Sequence, residues 1–292
     1  MPTVPIFESV PNIAEGRDKK KIAALLDAIR PLENLKILDY SSDPDHNRSV
    51  FTYIGSYDAI LAAGLALTRK AVEILDLRTH TGVHPRLGVL DVLPVVPVWQ
   101  ADMAGAVSLA RALGANIQKF GVPVVFYEQA AVDPALRNLA DVRRKSYNIK
   151  AHRTAGLVCV GARGYLVAYN VNLAAPDLAA ARTIAGQIRE SGGGLRGVKA
   201  LGLYLKSRGC AQVSMNLVEP EITGPEQVYA RVKELAEGAG MEVQNEELIG
   251  VLPALVVREA QKLSEDIDAK IALLKKSGAA ERPEENNSNE NS

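Results

Sequence analysis

The chain has 292 residues, 47% hydrophobic and 23% charged, enough apolar material for the cores of two ordinary domains. Its 34 basic side chains are balanced by 34 acidic ones, so there is no basic excess to hold nucleic acid or an anionic membrane. Two cysteines, Cys159 and Cys210, exclude a disulfide framework and read as small buried hydrophobes.

The opening MPTVPIFESV lacks the basic and apolar regions of a secretory signal, which makes the cytoplasm the expected compartment. Val4–Val10 reads as a short strand. Arg17–Arg30 places Ile22, Leu25, Leu26 and Ile29 at helical spacing. Lys36–Ser41 and Arg48–Gly55 read as strands, the second through the β-branched and aromatic run VFTYI. Tyr57–Leu75, rich in Ala and Leu, is a helix. Val89–Val98 is a buried strand. The apolar run there is broken by Asp91, Pro94 and Pro97 and falls short of the roughly 20 residues a membrane helix needs. A helix over Asp102–Phe120 and a strand over Val122–Tyr127 follow.

A second run repeats the order. Tyr165–Asn172 is a strand and Pro176–Ser191 a helix. Lys199–Leu205 and Gly209–Leu217 form a hairpin around Ser207–Arg208. Pro225–Gly238 is a helix opened by proline, Met241–Leu248 a strand, and Pro253–Lys275 a long final helix. Each half is β-α-β-β-α-β, which predicts an α+β protein of two ferredoxin-like subdomains with a ligand groove between them. The polar stretch Arg137–Thr154 sets the expected division: residues 1–150, residues 151–276, and a tail, 277–292, too poor in apolar side chains to order itself.

Titratable groups gather in the loop Thr79–Asp91, THTGVHPRLGVLD, where Gly82 and Pro85 prevent regular helix. Histidine is the side chain that both takes and gives a proton near neutral pH, so His80 and His84 are candidates for acid–base work. A loop histidine is more often structural, and the cluster is what raises the functional reading. The four-residue spacing of the pair suits a metal only on a helix, so no metal is expected. In SSDPDHNRS, Asp-Pro-Asp is turn chemistry, and Arg48 can grip a carboxylate or simply be solvated. The loop PNIAEGRD offers backbone N–H groups to an anion or merely enters a helix. The glycine run SGGGLRG does not sit as a nucleotide-binding loop would.

Taken together these stretches resemble the glutamate formiminotransferase family, in its stand-alone form. Eight of them run in the family's order from about Val10 to Pro253: VPNIAEGRD, SDPDHNRSVFTYIG, LDLRTHTGVHPRLGVLDVLPVVPV, PVVFYEQAA, VGARGYLVAYNVNL, RESGGGLRGVKALGLYL, AQVSMNLVE and ELIGVLP. The resemblance implies transfer of a formimino group from N-formimino-L-glutamate to N5 of tetrahydrofolate, a step of histidine degradation and one-carbon metabolism. Tetrahydrofolate is then a co-substrate, and the partners are small molecules. It also implies that His84, in the H-P-R segment, is the catalytic histidine; His80 or Asp39 is expected to orient it, since a base is itself held by a third group. Asn47, Arg48, Arg86, Gly156, Arg163 and Asn170 are the implied substrate- and folate-binding residues. A P-D-x-G-P stretch usual before the G-A-R motif is missing, which keeps a non-catalytic folate or amino-acid binder as the rival expectation. Transferase activity alone, without a fused cyclodeaminase, is the expectation. A homodimer is the default assembly on frequency grounds.

Overall fold

The computed structural model describes residues 3–145 and 149–280. The first sheet contains β1 (Ile6–Ser9), β2 (Asn12–Ile13), β3 (Leu35–Asp43), β4 (Arg48–Gly55), β5 (Leu90–Trp99), β6 (Val124–Glu128) and β7 (Val158–Ala162). β1 and β2 are one strand broken at Val10–Pro11, since both pair with β4 and β5. With α1 (Lys19–Asp27) and α2 (Tyr57–Ile74), strands β1, β3, β4 and β5 make the expected β-α-β-β-α-β unit, antiparallel throughout. The sheet is then extended. α3 (Met103–Gln118) and α4 (Leu139–Lys145) lead to β6 and β7, and β7 lies parallel to both β5 and β6.

The second sheet is shorter and entirely antiparallel, with β8 (Val167–Leu173), β9 (Val198–Leu205), β10 (Cys210–Leu217) and β11 (Val243–Ile249) in the order β11-β8-β10-β9. α5 (Leu178–Ile188) and α6 (Pro225–Gly238) cover one face. The alternation is strict: Val167, Tyr169, Val171 and Leu173 of β8 enter that core. Asn170 and Asn172, between them, must then point to the other face.

Helix boundaries follow their caps. Asp18, Ser56, Asp102 and Asp177 each accept a backbone N–H at a helix start, and Pro225 opens α6. The main core joins Leu25 of α1, Leu67 of α2 and Leu113 of α3 against one face of the first sheet. At about 25 cal/mol per Å² of apolar surface, such fully buried side chains dominate the stability.

Three expectations change. The division expected at 150/151 falls inside the first lobe, because β7 pairs with β5 and β6; the chain leaves that lobe only after Ala162. The final helix, α7 (Pro253–Ala280), does not stay with the second lobe either. Val256, Ala260 and Ile267 pack on Ile6 and Ile54 of the first sheet. The tail expected from Ser277 begins within α7, and residues 281–292 lie outside the described residues. Among the described residues no helix is long and apolar enough to cross a membrane.

Candidate active site

Two loops of the first lobe meet at its rim: the β3–β4 turn, Pro44–Asn47, and the loop between α2 and β5. Asn47 adopts a left-handed φ of 46°, a conformation asparagine enters more readily than most residues. Its Oδ1 accepts from the Gly16 N–H (2.9 Å) and its Nδ2 donates to the Thr81 carbonyl (2.9 Å). The Val83 N–H donates to the Asp45 carbonyl (3.1 Å). Gly82 permits this contact, because a Cβ there would stand 2.4 Å from the His46 carbonyl oxygen.

His84 sits where these loops touch. Its Nδ1 lies 2.9 Å from the Pro85 carbonyl oxygen, which can only accept. Nδ1 therefore carries the proton, and Nε2 is a bare acceptor for Arg48 Nη1 at 3.0 Å. Burial first, then Arg48, Arg143 and His46, hold its pKa well below the ordinary 6.5. The imidazole expected to titrate near neutrality is instead a fixed neutral base. Burial brings Arg48 down to about 10, so it stays charged at neutral pH.

Arg86 serves the loop. Its guanidinium donates to the carbonyls of His84 (2.5 Å) and His46 (3.1 Å), while Nη1 is buried without a partner among the described residues. His80 bonds Asn47 (Nδ1 to Nδ2, 3.3 Å) rather than His84, and burial, then Arg86, lowers it to about 4. Asp91 and Arg143, not singled out in the sequence, support the site from below. Asp91 accepts from the Leu87 N–H (2.5 Å) and from Arg143 Nη2 (3.2 Å).

Arg48 lines two spaces. One is a small recess shared with His84, Arg86 and Asp91. The other is a groove of about 340 Å³ between the lobes, where Asp43 and His46 of the first lobe face Asn170, Arg208 and Glu247 of the second. His46 is buried and stacks on His84, with ring centroids 5.9 Å apart and planes 26° apart. By sequence alone SSDPDHNRS reads as turn chemistry plus Arg48, without a role for His46. The available signal was a histidine held in the same tight turn as that arginine.

His84, His80, Asn47, Arg48 and Arg86 are thus brought together, with Asn170 across the groove. Three expected residues are elsewhere. Asp39 lies on β3 opposite Thr52 and makes no hydrogen bond to either histidine among the described residues. The Pro85 carbonyl and Arg48 orient His84 instead. Gly156 is architectural: it holds φ at 71°, and a Cβ would meet the Leu87 carbonyl oxygen at 2.1 Å. Arg163 stands at the passage to the second lobe, donating to the Gly164 carbonyl (2.8 Å), with its charge near Glu8.

The N-terminal subdomain of the formiminotransferase domain matches residues 6–163, and the formiminotransferase domain matches residues 168–273. The two matches meet at the passage between the lobes. A glutamate formimidoyltransferase of Thermoplasma acidophilum is 36% identical over 276 residues, covering 88% of this chain and 91% of that protein. One from Streptococcus pyogenes serotype M1 is 37% identical over 267 residues, covering 85% and 89%. The formimidoyltransferase-cyclodeaminase of Rattus norvegicus is 32% identical over 87% of this chain but only 51% of its own length. On these matches, and on two lobes closing over a histidine-bearing rim, the chain belongs to the formiminotransferase family.

Proposed function

We propose that the protein transfers the formimino group of N-formimino-L-glutamate to N5 of tetrahydrofolate, with His84 carrying the proton. The supporting observation is the bare Nε2 of a neutral imidazole beside the inter-lobe groove. The family and the names of the Thermoplasma acidophilum and Streptococcus pyogenes relatives point to the same reaction.

In that reaction N5 bonds to the formimino carbon, the carbon–nitrogen bond to glutamate breaks, and a proton leaves N5 and ends on the glutamate nitrogen. His84 Nε2 takes that proton and returns it to the departing amine. Its low pKa suits both halves. The ring is unprotonated and ready as a base at neutral pH, and burial with Arg48 and Arg143 favours return of the proton once it is taken up. Arg48 must first give up its bond to Nε2. A substrate carboxylate is a stronger partner for guanidinium than a neutral imidazole, so donor entry draws it away. The unpartnered Nη1 of Arg86 is a second carboxylate donor. Asn170 and Glu247 offer an amide and a carboxylate to a ring N–H edge, and the groove is large enough for a ligand of this size.

The same reading goes with a cytoplasmic location and small-molecule partners; a homodimer is proposed on the frequency of such assemblies alone, and sedimentation tests it. Purified protein should consume formiminoglutamate only when tetrahydrofolate is present and form 5-formiminotetrahydrofolate. Binding of both compounds with no transfer would overturn the proposal.

A further inference from the structure

A line of side-chain hydrogen bonds crosses the junction between the lobes, and its direction is set by a carboxylate. Glu247 can only accept, so Asn172 turns Nδ2 toward Glu247 Oε1 (3.0 Å) and Asn245 Oδ1 (3.0 Å). Asn172 Oδ1 is left to accept from Gln212 Nε2 at 2.8 Å. Gln212 must then face His46 with Oε1, which lies 3.1 Å from His46 Nε2. An amide oxygen does not donate, so His46 carries its proton on Nε2 and leaves Nδ1 bare. Gln212 is 0% exposed and Asn172 1%, so neither amide has water as an alternative partner. The His46 ring they hold is the one stacked on His84.

We infer that Gln212, on β10 of the second lobe, is a positioning residue for His84 of the first. It fixes the plane and tautomer of His46, and His46 supports the His84 ring. Asp43 and Arg48 face His46 from the strand ends on either side of its turn, and Glu247 faces it from β11. Only Gln212 forms a direct hydrogen bond from the other lobe to that ring among the described residues. Correct alignment of His84 therefore depends on the lobes being together. The kinetic part of the inference rests on the proposed function; the tautomer part does not.

Nitrogen NMR of the histidine rings tests it in the unaltered protein. His46 should show one neutral tautomer protonated at Nε2; an Nδ1–H tautomer, or a mixture, overturns the inference whatever reaction the protein catalyses. Gln212→Met keeps the volume and removes the hydrogen bonds to His46, Asn172 and Glu247. The expected result is mixed His46 tautomers and a kcat lowered about tenfold, with KM changed less than about twofold, because only alignment is lost. A wild-type kcat, or a loss confined to KM, overturns it. If Gln212→Met does not fold, the spectrum of the unaltered protein decides. The expected tautomer in a protein that transfers no formimino group would support the relay and remove the proposed function.

Discussion

In the first lobe the charged and titratable groups that meet the groove, Asp43, His46 and Arg48, sit in the β3–β4 turn and at the strand ends beside it; in the second, all but Arg208 come from strands. All four histidines lie before β8, and His46 and His84 stand among Arg48, Arg86 and Arg143. The second lobe answers with Asn170, Asn172 and Gln212, neutral amides on the polar face of its sheet. Loops can cluster titratable groups with cations and so shift their pKa values. Strands hold amides in fixed register and so define direction without changing charge. One β-α-β-β-α-β plan thus supports a lobe that titrates and a lobe that aligns.

The strongest way to break this contrast is His84→Ala. If the first lobe holds the chemistry, kcat should fall roughly 10²–10⁴-fold while the melting temperature hardly moves, since the ring lies in a loop outside the cores. Near-normal turnover would end the assignment.

Glu8 asks whether the first lobe also governs stability against pH. Burial raises its carboxyl from an ordinary 4.5 to about 7, opposed by Arg163. The folded state therefore favours the protonated acid. The stabilisation is complete below pH 4.5 and is lost as pH climbs through 7. Glu8→Gln should be more stable than the parent at alkaline pH by on the order of 3 kcal/mol, and denaturant titrations across pH should show a flatter profile.

Arg48→Met sharpens the comparison further. It removes the proposed substrate anchor and a cation that helps hold His84 down. kcat/KM should fall by about 10²-fold, and its acid limb should move to higher pH as His84 rises toward its ordinary value. An unmoved limb would separate Arg48 from the imidazole.

The smallest effect belongs to Asp45→Ala. Asp45 accepts from the Ser207 N–H (3.0 Å) and hydroxyl, joining the β3–β4 turn to the β9–β10 hairpin. Its loss should cost about 1–2 kcal/mol and raise KM more than it lowers kcat. X-ray scattering should show a wider pair of lobes.

Much of this was legible in the sequence. Helical spacing at Ile22, Leu25 and Leu26 and alternation in VAYNVNL placed most elements, and the H-P-R segment pointed to His84. What escaped depends on distant pairing. Nothing local in LVCVGA says that β7 lies parallel to β5, more than fifty residues earlier, so the division was set too soon. α7 reads as amphipathic without revealing which sheet receives it. At the site, Asp39 followed the strand rather than the loop, Gly156 met a steric need, and Gln212 acquired its role only when two lobes closed around it.

Because α7 returns to the first sheet, the polypeptide passes between the lobes twice, at residues 163–166 and 250–252. A single connector would act as a swivel, free to twist and slide. Two connectors behave like a door hung at two points, leaving one angle as the easy motion. In the structure that angle is held shut by contacts across the junction, among them Asp45 with Ser207, Asp43 with Arg208 and His46 with Gln212.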